Sequence, residues 1–250
     1  MESKAGLTKQ ENHLNIVASG FDARPMSYID ESGYRTGYEP ELARIVCDRL
    51  QLTPVWHDLP MQNFYTSLSA GNSAKTETYD AVWFNQAITP ERQQQVSFTQ
   101  PYGLFDEAVL VKQSSLVNAP DQLAGQRVGG LADSTNIALV EGFVGAKAIP
   151  YPGSDKVLPE MLAALRAGEI DALIDDELVL VVAAEEDPDL RLAFTLPTKA
   201  PFAIGVSKTQ PLLLEKLNNT LSELIADGTL KTLWEKWIPW KPFPFTQESA

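Results

Sequence analysis

The sequence predicts an α/β protein of two lobes, and three observations carry that expectation. Short apolar runs with the composition of buried strands alternate with stretches of helical periodicity, the pattern that builds mostly parallel sheets flanked by helices. One segment recurs: Ser67-Leu68-Ser69-Ala70-Gly71 leads to Tyr79-Asp80-Ala81-Val82-Trp83-Phe84, and Leu165-Arg166-Ala167-Gly168-Glu169 leads to Ile170-Asp171-Ala172-Leu173-Ile174. Each reads as helix, glycine stop, Asp-Ala and buried strand, so the two lobes share a plan. Two extended segments rich in Phe, Val and Pro, residues 96–112 and 192–208, lie about one lobe apart. Read as crossovers, they act as hinge strands and make lobe 1 discontinuous, residues 1–102 and 200–250, with residues 103–199 inserted as lobe 2. Two lobes imply a cleft.

The elements follow from period and punctuation. Strands are expected at residues 14–19, 54–57, 79–84, 127–131 and 170–174. A helix is expected over 39–50, where Leu42, Ile45, Val46 and Leu50 share a face. Another is expected over 156–167, where Leu158, Met161, Leu162 and Leu165 do so before Gly168 stops it. Amphipathic stretches at 211–227 and 230–237 are expected to pack back on lobe 1.

Charge and composition exclude several function classes. The 33 acidic residues against 20 basic ones leave a net charge of -13. Nucleic acids and anionic membranes need a basic face, so no nucleic-acid partner is expected. The best apolar run, residues 178–184, is bounded by acids and far short of the roughly 18–20 residues that cross a bilayer. The start, Met1-Glu2-Ser3-Lys4-Ala5-Gly6, lacks the apolar stretch of a secretory signal, so the protein is either cytoplasmic or has lost a leader. Cys47 is the single cysteine, excludes an intramolecular disulfide and falls in the first amphipathic helix as a small buried hydrophobe. His13 and His57 are the only histidines and form no nucleophile–base set, and Asp175-Asp176-Glu177 lacks the spacing of a calcium loop. Neither metal nor cofactor is expected.

The motifs, in order, are Gly37-Tyr38-Glu39-Pro40-Glu41-Leu42-Ala43, Ile88-Thr89-Pro90-Glu91-Arg92, and Val96-Ser97-Phe98-Thr99-Gln100-Pro101-Tyr102. Then come Leu123-Ala124-Gly125-Gln126-Arg127-Val128-Gly129, Ala167-Gly168-Glu169-Ile170-Asp171-Ala172-Leu173-Ile174-Asp175-Asp176, and Ala203-Ile204-Gly205-Val206-Ser207-Lys208. Together they resemble the extracellular solute-binding proteins, family 3, that serve amino-acid ABC transporters, and the likeness runs over most of the chain. The resemblance implies the type II periplasmic-binding-protein fold and a periplasmic monomer. Such a protein closes on a small carboxylate-bearing or amino-acid ligand and delivers it to a membrane permease.

The residues themselves offer candidate ligand groups. Thr89-Pro90 reads as a capped helix start just past a buried strand, where α/β sheets bind ligands. Arg92 there is either an exposed first-turn arginine or a bidentate partner of a carboxylate, and the resemblance implies the second. Asp133-Ser134-Thr135 follows a strand and precedes a helix, so Ser134 and Thr135 are either a plain cap or receivers of the same carboxylate. The resemblance places Asp176 on the ligand's ammonium and Phe84, Asn85 and Gln86 beside its carboxylate.

Departures from the family pattern put the ligand's identity in question. Ala23 stands where a covering aromatic ring is common, with Phe21 two residues earlier. Met61, Phe64 and Tyr65 each face either ligand or core. Residues 72–78 read as an insertion, Ala87 replaces a hydroxyl residue, and Asp133 replaces a glycine. Arg24 is either a solvent-exposed loop arginine or the partner of a second acidic group on the ligand. Two other readings share the fold. One is a cleft enzyme of the cyclohexadienyl-dehydratase kind, which would use Asp133, Asp175 or Glu177 as an acid. The other is the sensing domain of a membrane receptor.

Overall fold

The computed structural model describes residues 6–68, 79–154 and 156–245. The chain opens with β1 (His13–Ala18), the hairpin of β2 (Tyr28–Ile29) and β3 (Arg35–Thr36), and helix α1 (Tyr38–Leu50). β4 (Thr53–Asp58), α2 (Phe64–Ser67), β5 (Ala81–Val82), α3 (Pro90–Gln95) and β6 (Val96–Phe98) follow. Next are β7 (Gly103–Lys112), β8 (Arg127–Leu131), α4 (Thr135–Val140), β9 (Lys147–Tyr151), α5 (Val157–Ala167), β10 (Ala172–Asp176) and α6 (Glu177–Glu186). The chain returns through β11 (Leu190–Phe202) and β12 (Gly205–Ser207) to α7 (Pro211–Ala226) and α8 (Thr229–Trp237). The expected stretch at 69–71 and the insertion at 72–78 lie outside the described residues.

The chain divides into two compact units. The first holds the residues up to Gly20, Met26–Leu104 and those from Pro201 on; the second holds Phe21–Pro25 and Phe105–Ala200. The first unit's sheet runs β4-β1-β5-β12-β6, the second's β11-β7-β10-β8-β9. In the first, β4, β1 and β5 are parallel and β12 runs antiparallel to β5 and β6. In the second, β9, β8 and β10 are parallel and β7 is antiparallel to β10. Each sheet therefore has a parallel half made by strand–helix–strand steps and an antiparallel half supplied by the crossing segments.

The recurring Asp-Ala is a structural device in both units. Asp80 donates its backbone N–H to Asn15 O at 2.9 Å and takes the Asn15 N–H on its carboxylate at 2.9 Å. Asp171 does the same with Arg127, at 2.8 Å in each direction. Each aspartate clasps the start of the neighbouring parallel strand and sets its register. Because Asp171 is spent on the clasp, the strand expected at 170–174 begins two residues later, and Asp175 and Asp176 become its end. The strand expected at 79–84 narrows to Ala81–Val82: Trp83 still bonds Val17 O at 3.0 Å, and Asn85, at φ 45°, then turns the chain away.

Two further sequence expectations hold closely. Helix α1 buries Leu42, Val46 and Cys47 on one side, and α5 stops at Gly168, whose φ of 76° few other residues adopt at low cost. Helix α6 was not foreseen, because its run from Leu178 to Ala184 is apolar all round and shows no amphipathic period. Among the described residues no helix is long and apolar enough to cross a membrane.

Inside the first unit, the roots of the two crossing strands touch. Tyr102 donates its N–H to Phe202 O at 3.2 Å, and the two rings pack edge to face with centroids 4.9 Å apart. A Cβ on Gly103 would lie 2.1 Å from the Phe202 ring, so only glycine fits there.

The two clasps differ in burial, and that sets their worth. Asp80 is fully buried and also accepts from Lys9 N and Gln210 Nε2 at 2.9 and 2.7 Å, whereas the Asp171 side chain is 32% exposed. Asp80→Ala is expected to cost about 3 kcal/mol in urea unfolding, by stranding buried donors, and Asp171→Ala about 1 kcal/mol. The reverse order would refute the assignment of the first clasp as the stronger one.

Candidate functional site

In the first unit, the expected ligand residues form one loop at the end of β5. After the left-handed turn at Asn85, Gln86 Nε2 donates to Phe84 O at 2.8 Å and Gln86 Oε1 accepts from the Tyr65 hydroxyl at 2.8 Å. The chain then runs beside the returning crossover, with Ala203 N to Gln86 O at 3.2 Å and Ile88 N to Pro201 O at 3.0 Å. Thr89 caps α3 by accepting the Arg92 N–H, and Pro90 takes the first turn. The Arg92 guanidinium is held from two sides: Nη1 donates to Ala87 O at 2.8 Å, and its carbon lies 5.7 Å from the Tyr65 ring centre. Among the described residues no carboxylate forms an ion pair with it. Both contacts fix the direction of the fork and leave most of its five N–H donors uncommitted.

Beneath this loop lies a buried carboxylate. Glu39, in the first turn of α1, is fully buried. Its Oε1 accepts the Asn85 N–H at 2.6 Å and the Tyr102 hydroxyl, and its Oε2 has no hydrogen-bond partner among the described residues. Burial pushes its pKa up to about 7, against the two hydrogen bonds and the charge of Arg35, which pull it down.

In the second unit, the ends of β8 and β10 carry the other candidates. Asp133 adopts φ 59°, a left-handed conformation that glycine, asparagine or aspartate tolerate best, which accounts for a non-glycine residue being admissible there. The Ser134 hydroxyl is committed inside the loop: it caps α4 by accepting from Ile137 N at 3.2 Å and donates to Leu131 O at 2.7 Å. Thr135 Oγ1 donates to Asn136 Oδ1 at 3.1 Å. The buried Asn136 amide in turn donates to Asp175 at 2.8 Å and Asp176 at 3.2 Å. Asp176, 9% exposed, ends β10 opposite the buried Glu107 of β7, whose carboxylate accepts the Thr198 hydroxyl. Burial raises the pKa of both Asp175 and Glu107. Three carboxyl groups thus lie close together, with the Asn136 amide, the Asp176 backbone N–H and the Thr198 hydroxyl among their donors, an environment that a cationic group would stabilise.

The remaining candidates are dispersed. Phe84 is buried and packs edge to face on Phe64, so both belong to the core of their unit, and Met61 opens a short 3-10 turn, half-buried. Phe21 is buried within the segment that groups with the second unit. Arg24 pairs with Asp22 at 3.1 Å and Glu186 at 3.6 Å, at the rim of a cavity of about 260 Å³ between α5 and α6 that includes no other candidate. Sequence reasoning weighed Tyr65 only as facing ligand or core, and did not single out Glu39, Tyr102, Asn136 or Glu107 as parts of the site. The only signals were the motif around Glu39 and the Phe64-Tyr65 pair, neither of which discloses a partner.

The chain is similar to known proteins in both sequence and fold. The model of the bacterial extracellular solute-binding proteins, family 3, matches residues 16–239. ABC transporter arginine-binding protein 1 of Escherichia coli K12 is 28% identical, covering 86% of this chain and 86% of its own. The amino-acid-binding protein AabA of Dichelobacter nodosus is 28% identical, covering 90% and 87%. Among solved structures, an ancestral arginine-binding protein bound to arginine superposes with a TM-score of 0.81 at 26% identity, covering 91% of this chain and 99% of that one.

Glu39 gives a pH signature. Between about 4.5 and 7 the folded chain keeps a proton that the unfolded chain has released, so stability falls as pH rises through that window. The contribution is whole below 4.5 and lost above 7, about 3 kcal/mol in all. In urea unfolding at pH 5 and pH 7.5, Glu39→Gln is expected to remove most of that decline. An unchanged decline would mean that Glu39 titrates as an ordinary carboxylate.

Proposed function

We propose, for a chain that belongs to the bacterial extracellular solute-binding proteins of family 3, that it captures an amino acid or a related carboxylate. It passes the ligand unaltered to the permease of an ABC transporter. The observation that carries this reading is Arg92: a guanidinium in the first turn of α3, aimed by a carbonyl and an aromatic ring, with no ion-pair partner among the described residues. Such a group suits a bidentate, charge-assisted pair with a ligand carboxylate. In this reading the ligand's ammonium meets Asp176, and the neighbouring carboxyl groups of Asp175 and Glu107, raised by burial, add to the preference for positive charge.

A ligand shifts a protein between two arrangements only by the difference in contacts it makes in each, and capture by closure rests on that difference. β7 and β11, each of which passes from one unit to the other, are the strands that take up the rotation. We read the protein as a periplasmic monomer and as a binder rather than a cleft enzyme, since the relatives are named as binding proteins. L-Arginine is the first ligand to try because two of the similar proteins carry it in their names.

The test is calorimetric titration of refolded protein with L-arginine, L-histidine, L-glutamine and amine-free carboxylates, followed by recovery of the ligand. One tight, unaltered ligand is expected, and a chemically changed ligand would favour the enzyme reading. Arg92→Ala should lower affinity about 100-fold or more, on the order of 3 kcal/mol, while ligand-free stability holds. Asp176→Asn should weaken amine-bearing ligands and spare amine-free ones. Unchanged affinity in the first variant, or equal loss across both ligand classes in the second, would remove the corresponding residue from the site.

A further inference from the structure

We infer that Glu39 is a positioning residue for ligand binding: its Oε1 ties the loop that carries Arg92 to the root of the strand that leaves the first unit. The inference rests on the reading of Arg92 as the carboxylate partner.

Glu39 Oε1 has two donors, and they come from separate parts of the unit. One is the Asn85 N–H, at 2.6 Å, on the residue whose left-handed φ of 45° starts the Arg92 loop. The other is the hydroxyl of Tyr102, the residue just before β7, which leaves the unit after Leu104. Tyr102 is itself braced by the Tyr38 hydroxyl on its carbonyl at 2.7 Å and by the Phe202 ring and carbonyl of the returning strand.

Downstream of Asn85, backbone bonds to Pro201, Phe202 and Ala203 hold the loop along β11 and the residues just after it. At its start, the Asn85 N–H is tied to Glu39 Oε1. The loop then delivers the Ala87 carbonyl that aims Arg92. A single carboxylate oxygen therefore joins α1, the binding loop and the departing crossover, and a displacement at one is felt at the others. Desolvation makes a charged carboxylate unfavourable at this spot, and the oxygen of an amide of the same shape would accept the same two donors. What the site requires is the acceptor oxygen, not the charge.

That distinction supplies the test. Hydrogen–deuterium exchange of the ligand-free protein reads the anchor without any ligand, and titration with L-arginine reads its consequence for binding. Glu39→Ala should speed exchange over residues 84–92 and weaken L-arginine about tenfold or more, because a loosened support misplaces the guanidinium. Glu39→Gln should restore both to near wild type. The weakening should be equal for amine-free carboxylates, since the effect passes through Arg92. Tyr102→Phe combined with Glu39→Ala should be no worse than Glu39→Ala alone.

If the alanine variant is too unstable to purify, Glu39→Met fills the space without an acceptor and takes its place. Unaltered exchange in the acceptor-free variant, a glutamine variant as impaired as the acceptor-free one, or additive losses in the double variant would each overturn the inference. If wild-type protein ignores L-arginine and every other ligand offered, the binding reading fails, while exchange over residues 84–92 still decides whether Glu39 anchors the loop.

Discussion

A carboxylate placed between two neighbouring strands sets the register on which each unit depends. Asp80 and Asp171 occupy the same place in their sheets, each exchanging a backbone hydrogen bond with the adjacent strand and then taking that strand's N–H on its side chain. A one-residue slip in a sheet turns every side chain to the opposite face, so pinning one end decides what emerges at the other. In the first unit the pinned strand ends at Asn85 and feeds the Arg92 loop. In the second it ends at Asp175 and Asp176. The candidate residues of both units thus lie downstream of an aspartate that pins the other end of their strand.

The candidate residues of the two units differ in the sign of their charge, though the chain as a whole is strongly acidic. Arg92 is oriented by neutral partners, which steer it without neutralising it. The second unit brings Glu107, Asp175 and Asp176 together, with the Asn136 amide bridging the two aspartates, and desolvation raises the pKa of Glu107 and Asp175. Burial disfavours the charged form of these carboxyl groups, and a neighbouring positive charge favours it. A net charge of -13 belongs to solubility and says little about this local arrangement.

Much of the fold was legible in the sequence because it rests on local rules. Gly168 announces the end of α5, the apolar face of α1 reads at helical spacing, and the repeated Asp-Ala marks two strands. The hairpin of β2 and β3 is too short to leave a period, and α6 hides because a helix apolar all round reads like any buried run. The candidate site was legible in part: the loop from Phe84 to Arg92 and Asp176 stand out by their place at strand ends, whereas Asp175 read as solvated or structural and is buried beside Asp176. Glu39 and Tyr102 are 63 residues apart in sequence, and Asn136 lies 40 before Asp176. No periodicity links such pairs, so their hydrogen bonds emerge only once the chain is folded.

Cys47 lies fully buried on the inner face of α1, and burial pushes its thiol up to about 12, leaving almost none of the reactive thiolate at neutral pH. Toward maleimides and other thiol reagents the folded chain therefore behaves as though it had no cysteine. A fluorophore attached to one cysteine introduced on an exposed surface would mark that position alone, with no need to alter the natural residue, and its emission could follow ligand capture in real time.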